Sequence, residues 1–311
     1  MIEVRKYTAD EKANWDKMLA FSKADTFLFY RDFMDYHSDR FRDNSFMIYR
    51  KGKLEALLPG NISGNIFYSH QGLTYGGLIS TLKIATDDVI QSFKTINKIL
   101  KADGITEVIY KPLPTIYHHY PSQEDIYALF RLGAEKIGCN LSSTIFQNNK
   151  SAFNESRKSG VRKAQKEGVL IKESENFSEF WKVLEINLLK LYEKKPVHSL
   201  DEIIFLKSKF PNNIKLYNCL KDNKVIGGCL LFIMKNIVHV QYISANDTGK
   251  SMGAIDLLFD KLINDLYHQV PIFDFGHSTE NMGNLLNENL IFQKEGFGGR
   301  GIAYDIYKYK I

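Results

Sequence analysis

Polar side chains follow directly after an apolar run in the stretch from Pro271 to Asn284, PIFDFGHSTENMGN. Residues 272–275 have the composition of a buried strand, and the chain then breaks at Gly276 into the polar run HSTE. Open sheets usually bind ligands at the carboxyl ends of their strands, so this edge is a candidate site. Ser278 or Thr279 is equally suited to cap a following helix. The stretch alone leaves both interpretations open.

Two other stretches combine cations with small residues. SRKSGVRKAQKEGV (156–169) is a cation-rich run in which Arg162 and Lys163 are suited to bind phosphates, and its ordinary alternative is a solvated helix face. SANDTGKSMGA (244–254) leads from a strand into a helix N-terminus, where backbone N–H groups attract an anion. It lacks the first glycine of a P-loop, because Ser244 stands there, so we reject a nucleotide hydrolase. A plain capped loop stays open as the alternative.

The composition limits the class of protein. The apolar fraction of 44% and the charged fraction of 25% are typical of a globular protein. The net charge of +5 is compatible with anionic ligands but is too small to indicate nucleic-acid binding by itself. The longest apolar run, CLLFIM (229–234), is far shorter than a membrane-spanning helix, and the N-terminus lacks the apolar core of a secretory signal. The three cysteines have no metal-ligand spacing, so we expect reduced thiols, no metal site and a cytoplasmic location.

The C-terminal half reads as helix, helix, three antiparallel strands, helix, strand, helix, strand. The first helix carries Trp181, Leu184, Leu188 and Leu191 on one face, and the strands 214–220, 225–234 and 237–244 form a meander in which we expect His239 to be structural. A helix between two strands of one sheet predicts a parallel crossover. A short helix is predicted to carry the apolar residues Met282, Leu285, Leu286 and Leu290.

The N-terminal half repeats this order. Strands are predicted at 45–50, 54–60 and 65–70, followed by a helix capped near Thr86, a strand at 105–110, a helix near 124–131 and a strand near 143–148. The repetition predicts two copies of one fold. The polar stretch 149–155 is the predicted boundary, which gives domains of residues 1–150 and 151–311.

The duplicated order and two motifs resemble the Fem-like and cellulose-biosynthesis-protein-like acyltransferases, a branch of the N-acetyltransferase (GNAT) superfamily with tandem GNAT-type domains. The run at 156–169 is similar to the Arg/Lys-rich helix that opens their second domain. FDFG…LLNENLIFQKEGFGG is similar to their strand ending in Asp-x-Gly and a later Lys-x-x-aromatic-Gly turn, which are here Asp274, Gly276, Lys294, Phe297 and Gly298. The resemblance implies an α/β (α+β) fold in which each domain has a mixed, largely antiparallel sheet flanked by helices.

The resemblance implies transfer of an acyl or aminoacyl group to an amine. We expect a thioester donor and direct attack by the amine, because no cysteine or serine lies in an activated constellation. The donor would be acyl-CoA or an acyl carrier protein, with no tightly bound cofactor. The acceptor would be a small-molecule or cell-envelope precursor amine. One alternative is a Fem-type transferase that uses aminoacyl-tRNA and acts on a peptidoglycan precursor, and another is a catalytically degenerate binding module. Peripheral membrane contact is compatible with these functions.

The resemblance places Lys294 near the donor and the developing negative charge, and from the chemistry of acyl transfer we expect roles for further residues. Lys294 would stabilise developing negative charge, Glu280 or His277 would accept the proton, and Tyr242 would orient a substrate. Phosphates of the donor or acceptor would lie near the cations Arg162 and Lys163, and the GNAT pyrophosphate loop would include Lys250 and Gly253.

The sequence departs from the family pattern at two places. The pyrophosphate loop matches only in part, because Ile255 stands where Gly or Ala is usual, and Gln293 replaces the Phe that precedes the lysine in Fem proteins. The long charged helical hairpin that several Fem proteins carry has no counterpart in the sequence, which favours a thioester donor over tRNA.

Overall fold

The computed structural model describes the backbone of residues 1–311 and the side chains of all of them except Leu191 and Tyr192. The prediction that Leu191 lies on an apolar helix face therefore falls outside the described side chains. The chain divides into two compact units: unit 1 contains residues 1–141, 279–286 and 303–311, and unit 2 contains residues 142–278 and 287–302. These limits differ from a single boundary at 150/151, because the strands Glu135–Phe146 and Arg300–Lys310 each give residues to both units.

Helices and strands alternate in the manner predicted for an α/β protein. The helices are α1 (Lys12–Ala20), α2 (Arg31–Met34), α3 (Thr86–Ala102), α4 (Glu124–Arg131), α5 (Glu155–Lys166), α6 (Phe177–Tyr192), α7 (Leu200–Lys209), α8 (Asp247–Met252), α9 (Ala254–Lys261) and α10 (Glu288–Gly296). The strands are β1 (Ile2–Lys6), β2 (Arg42–Asp43), β3 (Phe46–Arg50), β4 (Lys53–Leu58), β5 (Asn61–Ser63), β6 (Ile66–Tyr68), β7 (Ile79–Ser80), β8 (Glu107–Tyr110), β9 (Glu135–Phe146), β10 (Leu170–Ser174), β11 (Ile214–Lys221), β12 (Lys224–Ile233), β13 (Ile237–Ala245), β14 (Ile272–His277), β15 (Thr279–Glu280), β16 (Leu285–Leu286) and β17 (Arg300–Lys310).

The sheet of unit 2 is mixed, as predicted. β11, β12 and β13 form the antiparallel meander, and Asp222 and Asn223 both adopt positive φ, as a tight type I′ hairpin requires. β14 returns to pair with β13 in parallel, which confirms the crossover. β10 pairs with β11, and residues 142–146 of β9 pair with β14 on its other side. The carboxyl ends of β13 and β14 therefore lie side by side.

Helices of unit 2 bury the faces that their sequence periodicity indicates. In α9 and the turn that follows it, Ile255, Leu258, Phe259 and Leu262 belong to the core against the sheet. Ser199 and Glu202 form a capping box at the start of α7.

The helix predicted over residues 282–290 is wrong at its start. Asn281, Met282 and Gly283 all have positive φ, which an α-helix does not accommodate. The next two residues form β16, paired with β15, and α10 begins only at Glu288. Asn287 caps this helix by accepting a hydrogen bond from the Leu290 N–H at 3.0 Å.

Unit 1 contains two sheets where the sequence predicted one meander. β3 and β4 pair as predicted, and the first sheet has the order β1-β3-β4-β7. β6 lies in a second sheet, in the part of it that has the order β9-β17-β8-β6-β5-β2. The chain leaves the first sheet at Gly60, where a Cβ atom would stand 2.2 Å from the ring of Phe67. The parallel pairing of β6 with β8 is the counterpart of the β13–β14 pair in unit 2.

The core of unit 1 contains the apolar face of α3, with Val89, Phe93, Ile96 and Leu100 buried. Across the described residues of both units, every helix is too short or too polar to pass through a lipid bilayer.

Candidate active site

Asp274 lies at the centre of a buried polar network in unit 2. The register of β14 places it opposite Thr144 on one side and His239 on the other. Its Oδ1 accepts hydrogen bonds from Ser142 Oγ at 2.5 Å and Thr144 Oγ1 at 2.9 Å, and its Oδ2 lies 2.7 Å from His239 Nδ1. A carboxylate with no exposed surface is stable only when donors compensate for its lost hydration, and here both neighbouring strands supply them.

β13 and β14 separate immediately after this network. Their parallel pairing ends at the His239–Asp274 pair, although β13 continues to Ala245 and β14 to His277. In the pairing with β9, β14 contains one additional residue between Asp274 and His277. Such a bulge bends a strand and increases its twist, which explains the separation. The edge of β13 beyond His239 is thereby left for a ligand.

Gly276 forms the bulge. Its φ of 71° lies in the left-handed region, and a Cβ atom there would stand 3.1 Å from Cε1 of His239. A side chain at this position would therefore be strained and crowded against the imidazole.

Lys294 is buried beside the bulge, with 6% of its surface exposed. Its Nζ donates hydrogen bonds to the carbonyl oxygens of Gly276 at 2.8 Å and His277 at 3.0 Å. Burial lowers the pKa of Lys294 to about 8, and the nearby charge of Asp274 acts in the opposite direction. An ammonium has three N–H groups, so one remains without a partner among the groups that the structure describes. This group is suited to stabilise negative charge on a substrate oxygen.

The turn after Lys294 fixes the end of α10 in the core. Phe297 is buried, with its ring stacked on Phe275 at 5.8 Å and edge-on to Phe153 at 5.2 Å. Gly298 has a φ of 94°, and a Cβ atom there would lie 2.8 Å from the Ser151 carbonyl oxygen. These two residues therefore determine where Lys294 points.

The two candidate proton acceptors of the sequence analysis lie on β14 and β15. His277 ends β14 with an exposed side chain, and its described link to Lys294 is made through its backbone carbonyl. Glu280 lies in β15 of unit 1, where it is exposed and pairs with Leu285.

Tyr242 is held by the segment that precedes α7. Its hydroxyl lies 2.7 Å from Nδ1 of His198 and accepts the His198 backbone N–H at 3.1 Å, while its ring packs edge-on to Trp181. Burial raises the pKa of Tyr242 to about 12, so the hydroxyl stays protonated at neutral pH. Tyr242 therefore holds the segment that connects α6 to α7 through its contacts with His198.

A cavity of about 190 Å³ lies at the end of β13. Lys250 lines it and donates from Nζ to Asn187 Oδ1 at 3.0 Å, while Asn187 Nδ2 donates to Ser244 Oγ and to the Ala245 carbonyl oxygen. The apolar part of the lining comes from α6, β13, α9 and α10, through Leu184, Leu188, Ile243, Ile255 and Leu290. Gln293 completes it, so α10 contributes to this cavity as well as to the Asp274 network.

Gly253 packs two helices together. It separates α8 from α9 with a φ of 72°, and a Cβ atom there would stand 2.5 Å from the Gly160 carbonyl oxygen of α5. Its N–H is directed to the Lys250 carbonyl oxygen at 3.3 Å. The close approach of α5 is a packing reason for glycine at this position.

The cations of α5 have two roles in the structure. Arg157 is half-buried, pairs with Asp256 at 2.7 Å and lies over the Phe297 ring, which anchors the helix. Arg162 is exposed and pairs with Glu155 at 2.6 Å, and Lys163 is exposed on the same helix. Arg162 also lines a cavity of about 530 Å³ with Lys150 and Lys158. The exposed cations therefore lie on a basic face outside the Asp274 network.

The sequence analysis missed His239, Ser142 and Thr144 as partners of Asp274. A signal was present, because His239 is the third residue of β13 and Asp274 is the third residue of β14. Each is a polar residue in an apolar strand, so an in-register parallel pairing brings them together. The contact between His239 and Asp274 can be recognised only when the pairing register of β13 and β14 is known.

Comparisons with known proteins give the fold. No protein-family description and no curated protein matches the chain. Among solved structures, FemX is similar with a TM-score of 0.72 and 10% identity over 99% of this chain and 97% of that one. The C-terminal domain of a putative lysylphosphatidylglycerol synthetase from Agrobacterium fabrum is similar with a TM-score of 0.64 and 10% identity over 97% and 92%.

A tandem GNAT protein from the clavulanic acid biosynthesis pathway, solved without acetyl-CoA, is similar with a TM-score of 0.51 and 9% identity over 100% and 98% of the two chains. At such identities the likeness shows shared architecture. The chain therefore has the fold that FemX and this tandem GNAT protein share.

Proposed function

We propose that this protein is an acyltransferase that moves an acyl group from a thioester donor, acyl-CoA or acyl carrier protein, to an amine by direct attack. The observation that carries the proposal is the separation of β13 and β14 beyond the His239–Asp274 pair, with Lys294 held at its edge. The fold shared with FemX and with a GNAT protein described in relation to acetyl-CoA supports it.

Direct attack needs a neutral amine, a positioned carbonyl and donors for the oxyanion. The exposed edge of β13 offers backbone N–H groups, and Lys294 offers its remaining N–H. Cys219 and Cys229 are unsuited to form an acyl-enzyme, since both are fully buried and burial raises the pKa of each thiol above its ordinary value. The amine itself would therefore be the nucleophile.

The cavity at the end of β13 is the proposed place of the donor. Its aliphatic lining suits an acyl chain or the arm that carries it, and Lys250 at its edge suits a phosphate of that arm. Donor binding then depends on Lys250 and Asn187, while Gly253 acts through packing.

Thermal stabilisation is the first test. A donor that binds the native state raises the unfolding temperature, so acyl-CoAs, an acylated carrier protein and aminoacyl-tRNAs should be compared at equal concentrations. We expect an acyl-CoA or the acylated carrier protein to stabilise the wild type, and to stabilise Lys250→Met less. Stabilisation by none of the thioesters would contradict the proposal.

Turnover is the second test. With the donor so identified and a panel of primary amines, we expect Lys294→Met to raise the barrier by roughly 2–4 kcal/mol, the range for removing an oxyanion donor. Lys94→Met, on the exposed face of α3, is the matched control and should keep full turnover. Full turnover in Lys294→Met would remove Lys294 from the mechanism.

A second candidate function is aminoacyl transfer from tRNA to a peptidoglycan precursor. The likeness to FemX and the basic face of α5 favour it. It predicts tRNA binding whose affinity falls steeply with salt, and weaker binding when Arg162 and Lys163 are changed to Glu. Binding without salt dependence, or no binding, would contradict it.

A further inference from the structure

Unit 1 contains a cavity of about 610 Å³ that has no part in the acyl transfer proposed above. Residues of α1, β3, β4 and the segment after β7 line it, and all of them belong to unit 1. We propose that this cavity binds a phosphorylated sugar, either free or as the sugar phosphate of a nucleotide. Its volume is within the ordinary range of small-molecule sites. The inference goes beyond the proposed function and does not depend on it.

Glu55 is the buried charged group of this cavity. It lies in the apolar strand β4 with only 6% of its surface exposed, and its Oε2 accepts a hydrogen bond from the Thr81 hydroxyl. Among the residues that the structure describes, its other oxygen, Oε1, has neither a hydrogen-bond nor an ion-pair partner. A buried carboxylate needs several donors to compensate for its lost hydration. A donor group on a ligand in the cavity would supply one.

Thr81 holds Glu55 in place but has no further donor for it. The Thr81 hydroxyl gives its single hydrogen to Glu55 and accepts the Lys83 backbone N–H at 3.2 Å. The Thr81 backbone N–H donates to the Glu55 carbonyl oxygen at 2.9 Å. These contacts attach β4 to the segment after β7, so the position of the carboxylate is set before any ligand arrives. The site is therefore preorganised on a strand of the sheet.

Three lysines, Lys17, Lys53 and Lys83, line the same cavity. Within the described part of the chain, none of their ammonium groups takes part in an ion pair or a hydrogen bond. Three ammonium groups against one carboxylate give the cavity an excess of positive charge, which attracts an anion. A lysine ammonium binds phosphate oxygens as a mobile point charge. The phosphate of the ligand would therefore lie among these three side chains.

The charges around Glu55 also select the kind of donor that it would accept. An ammonium on the ligand would meet three lysines, so its attraction to Glu55 would be offset by repulsion. A neutral hydroxyl donates a hydrogen bond to the carboxylate without that repulsion. An anion without a hydroxyl group would be repelled by Glu55 and would leave it uncompensated. The ligand that suits both kinds of group carries a phosphate and hydroxyls in one molecule.

Apolar side chains complete the lining of the cavity. Phe21 is 73% exposed, and Tyr49 lines the cavity while Arg5 lies over its ring at 4.6 Å from the ring centre. Met18 and Leu54 add aliphatic surface. Such side chains pack against the C–H face of a sugar or the face of a base. A phosphorylated sugar therefore meets the lysines, Glu55 and the apolar lining together.

Titration calorimetry on the full chain tests the class of ligand. The ligands are ribose 5-phosphate, glucose 6-phosphate and AMP, compared with ribose and inorganic phosphate. We expect at least one sugar phosphate to bind about tenfold more tightly than either partial ligand. Tighter binding of AMP than of both free sugar phosphates would identify a nucleotide as the source, and the reverse order a free sugar phosphate. Binding of none of the three, or no tighter binding than that of inorganic phosphate, would overturn the proposal.

Glu55→Gln separates the two polar parts of the site. The variant keeps the size of the side chain and an oxygen for Thr81, and it removes the negative charge. The affinity for the sugar phosphate should fall about tenfold, because a hydrogen bond to a charged group is lost. The affinity for inorganic phosphate should not fall, because the carboxylate repels it. An unchanged affinity for the sugar phosphate would overturn the proposal.

The lysines give a test that does not depend on how well Glu55→Gln folds. Lys53→Met and Lys83→Met should each weaken binding of the sugar phosphate roughly threefold, the size of a solvent-exposed charge interaction. Lys94→Met, on α3, and Lys250→Met, in the proposed donor cavity of unit 2, lie outside the lining and should bind as the wild type does. Wild-type affinity in both Lys53→Met and Lys83→Met would overturn the proposal.

Lysine acetylation locates the bound ligand on the wild type. The protein is treated briefly with acetic anhydride, with and without a saturating concentration of the tightest sugar phosphate, and peptide mass spectrometry gives the rate at each lysine. We expect the ligand to slow acetylation of Lys17, Lys53 and Lys83 and to leave Lys94 unchanged. Equal rates at all four lysines would place the ligand elsewhere and overturn the proposal. None of these outcomes bears on the donor and amine assays, which test the acyl transfer separately.

Discussion

Lys294 joins the candidate chemistry to the local backbone at the level of single residues. Two of its N–H groups hold the carbonyl oxygens of the bulge, and the same ammonium lies close to the charge of Asp274. Removing it would alter the substrate environment and the path of β14 together. Stability and activity measurements on this residue must therefore be interpreted jointly.

The lowered pKa of Lys294 predicts how stability changes with pH. Its pKa is about 8 in the folded protein and near 10.5 when exposed, so between these values the unfolded chain binds more protons. The stability of the wild type relative to Lys294→Met should therefore rise by roughly 2 kcal/mol from pH 7.5 to pH 9.5. Urea unfolding of both proteins at the two pH values measures this. A constant difference would show that Lys294 has an ordinary pKa.

The cysteines give a second prediction at this scale. Cys219 and Cys229 are fully buried with raised thiol pKa values, whereas Cys139 is partly exposed. Iodoacetamide should therefore modify only Cys139 in the native protein and all three thiols after unfolding, as read by peptide mass spectrometry. Rapid native modification of Cys219 or Cys229 would reopen an acyl-enzyme mechanism.

At the scale of helices and strands, the distance along the chain explains why some site residues could be predicted from the sequence and others could not. The spacing of Asp274, Gly276 and Lys294 is local or carried by one helix, so their motif could be recognised in the sequence. His239 reaches Asp274 only through the register of two strands separated by α8 and α9, and register is a property of the folded sheet. Gly253 shows a different limit of the sequence, since its place before a helix resembles an anion loop while the structure adds a packing constraint, the close approach of α5.

The close helix packing at Gly253 can be tested with a matched glycine. Gly253 and Gly168 have nearly equal φ values of 72° and 69°, but a Cβ atom would stand 2.5 Å from a backbone oxygen at Gly253 and meet only a lysine tip at 3.8 Å at Gly168. Gly168→Ala should lose about 1 kcal/mol of unfolding free energy through backbone strain. Gly253→Ala should lose at least ~1 kcal/mol more, because α5 must move. Equal losses of unfolding free energy in the two variants, measured by denaturant unfolding, would show that α5 and the α8–α9 junction move apart without destabilising the protein.

At the scale of the whole molecule, the chain order and the spatial units do not coincide. The sequence predicted two consecutive repeats, and the order of elements supports two similar halves. Unit 1 nevertheless contains the end of the chain, because β17 pairs with β8 and Tyr309 is buried with a hydrogen bond to Asn97. Periodicity within each half cannot reveal an exchange of strands over such a distance.

This interleaving predicts the behaviour of a fragment. Residues 1–150 lack β17, so β8 loses its antiparallel partner and Tyr309 leaves the core of unit 1. We expect the fragment to unfold without a cooperative transition, in contrast to the full chain, as measured by circular dichroism on heating. A sharp transition in the fragment would support the boundary predicted from the sequence.

The position of β9 before residue 150 limits where the chain can be cut for protein engineering. A gene cut at 150/151 would keep every residue of the two motifs that resemble those of the Fem-like proteins, and it would still remove Ser142 and Thr144, the hydroxyl donors of Asp274. The smallest transplantable cassette for the chemistry must therefore begin before Ser142. A chimera cut at 150/151 would therefore inherit an intact motif around a carboxylate that has lost its two described hydroxyl donors and keeps its contact with His239.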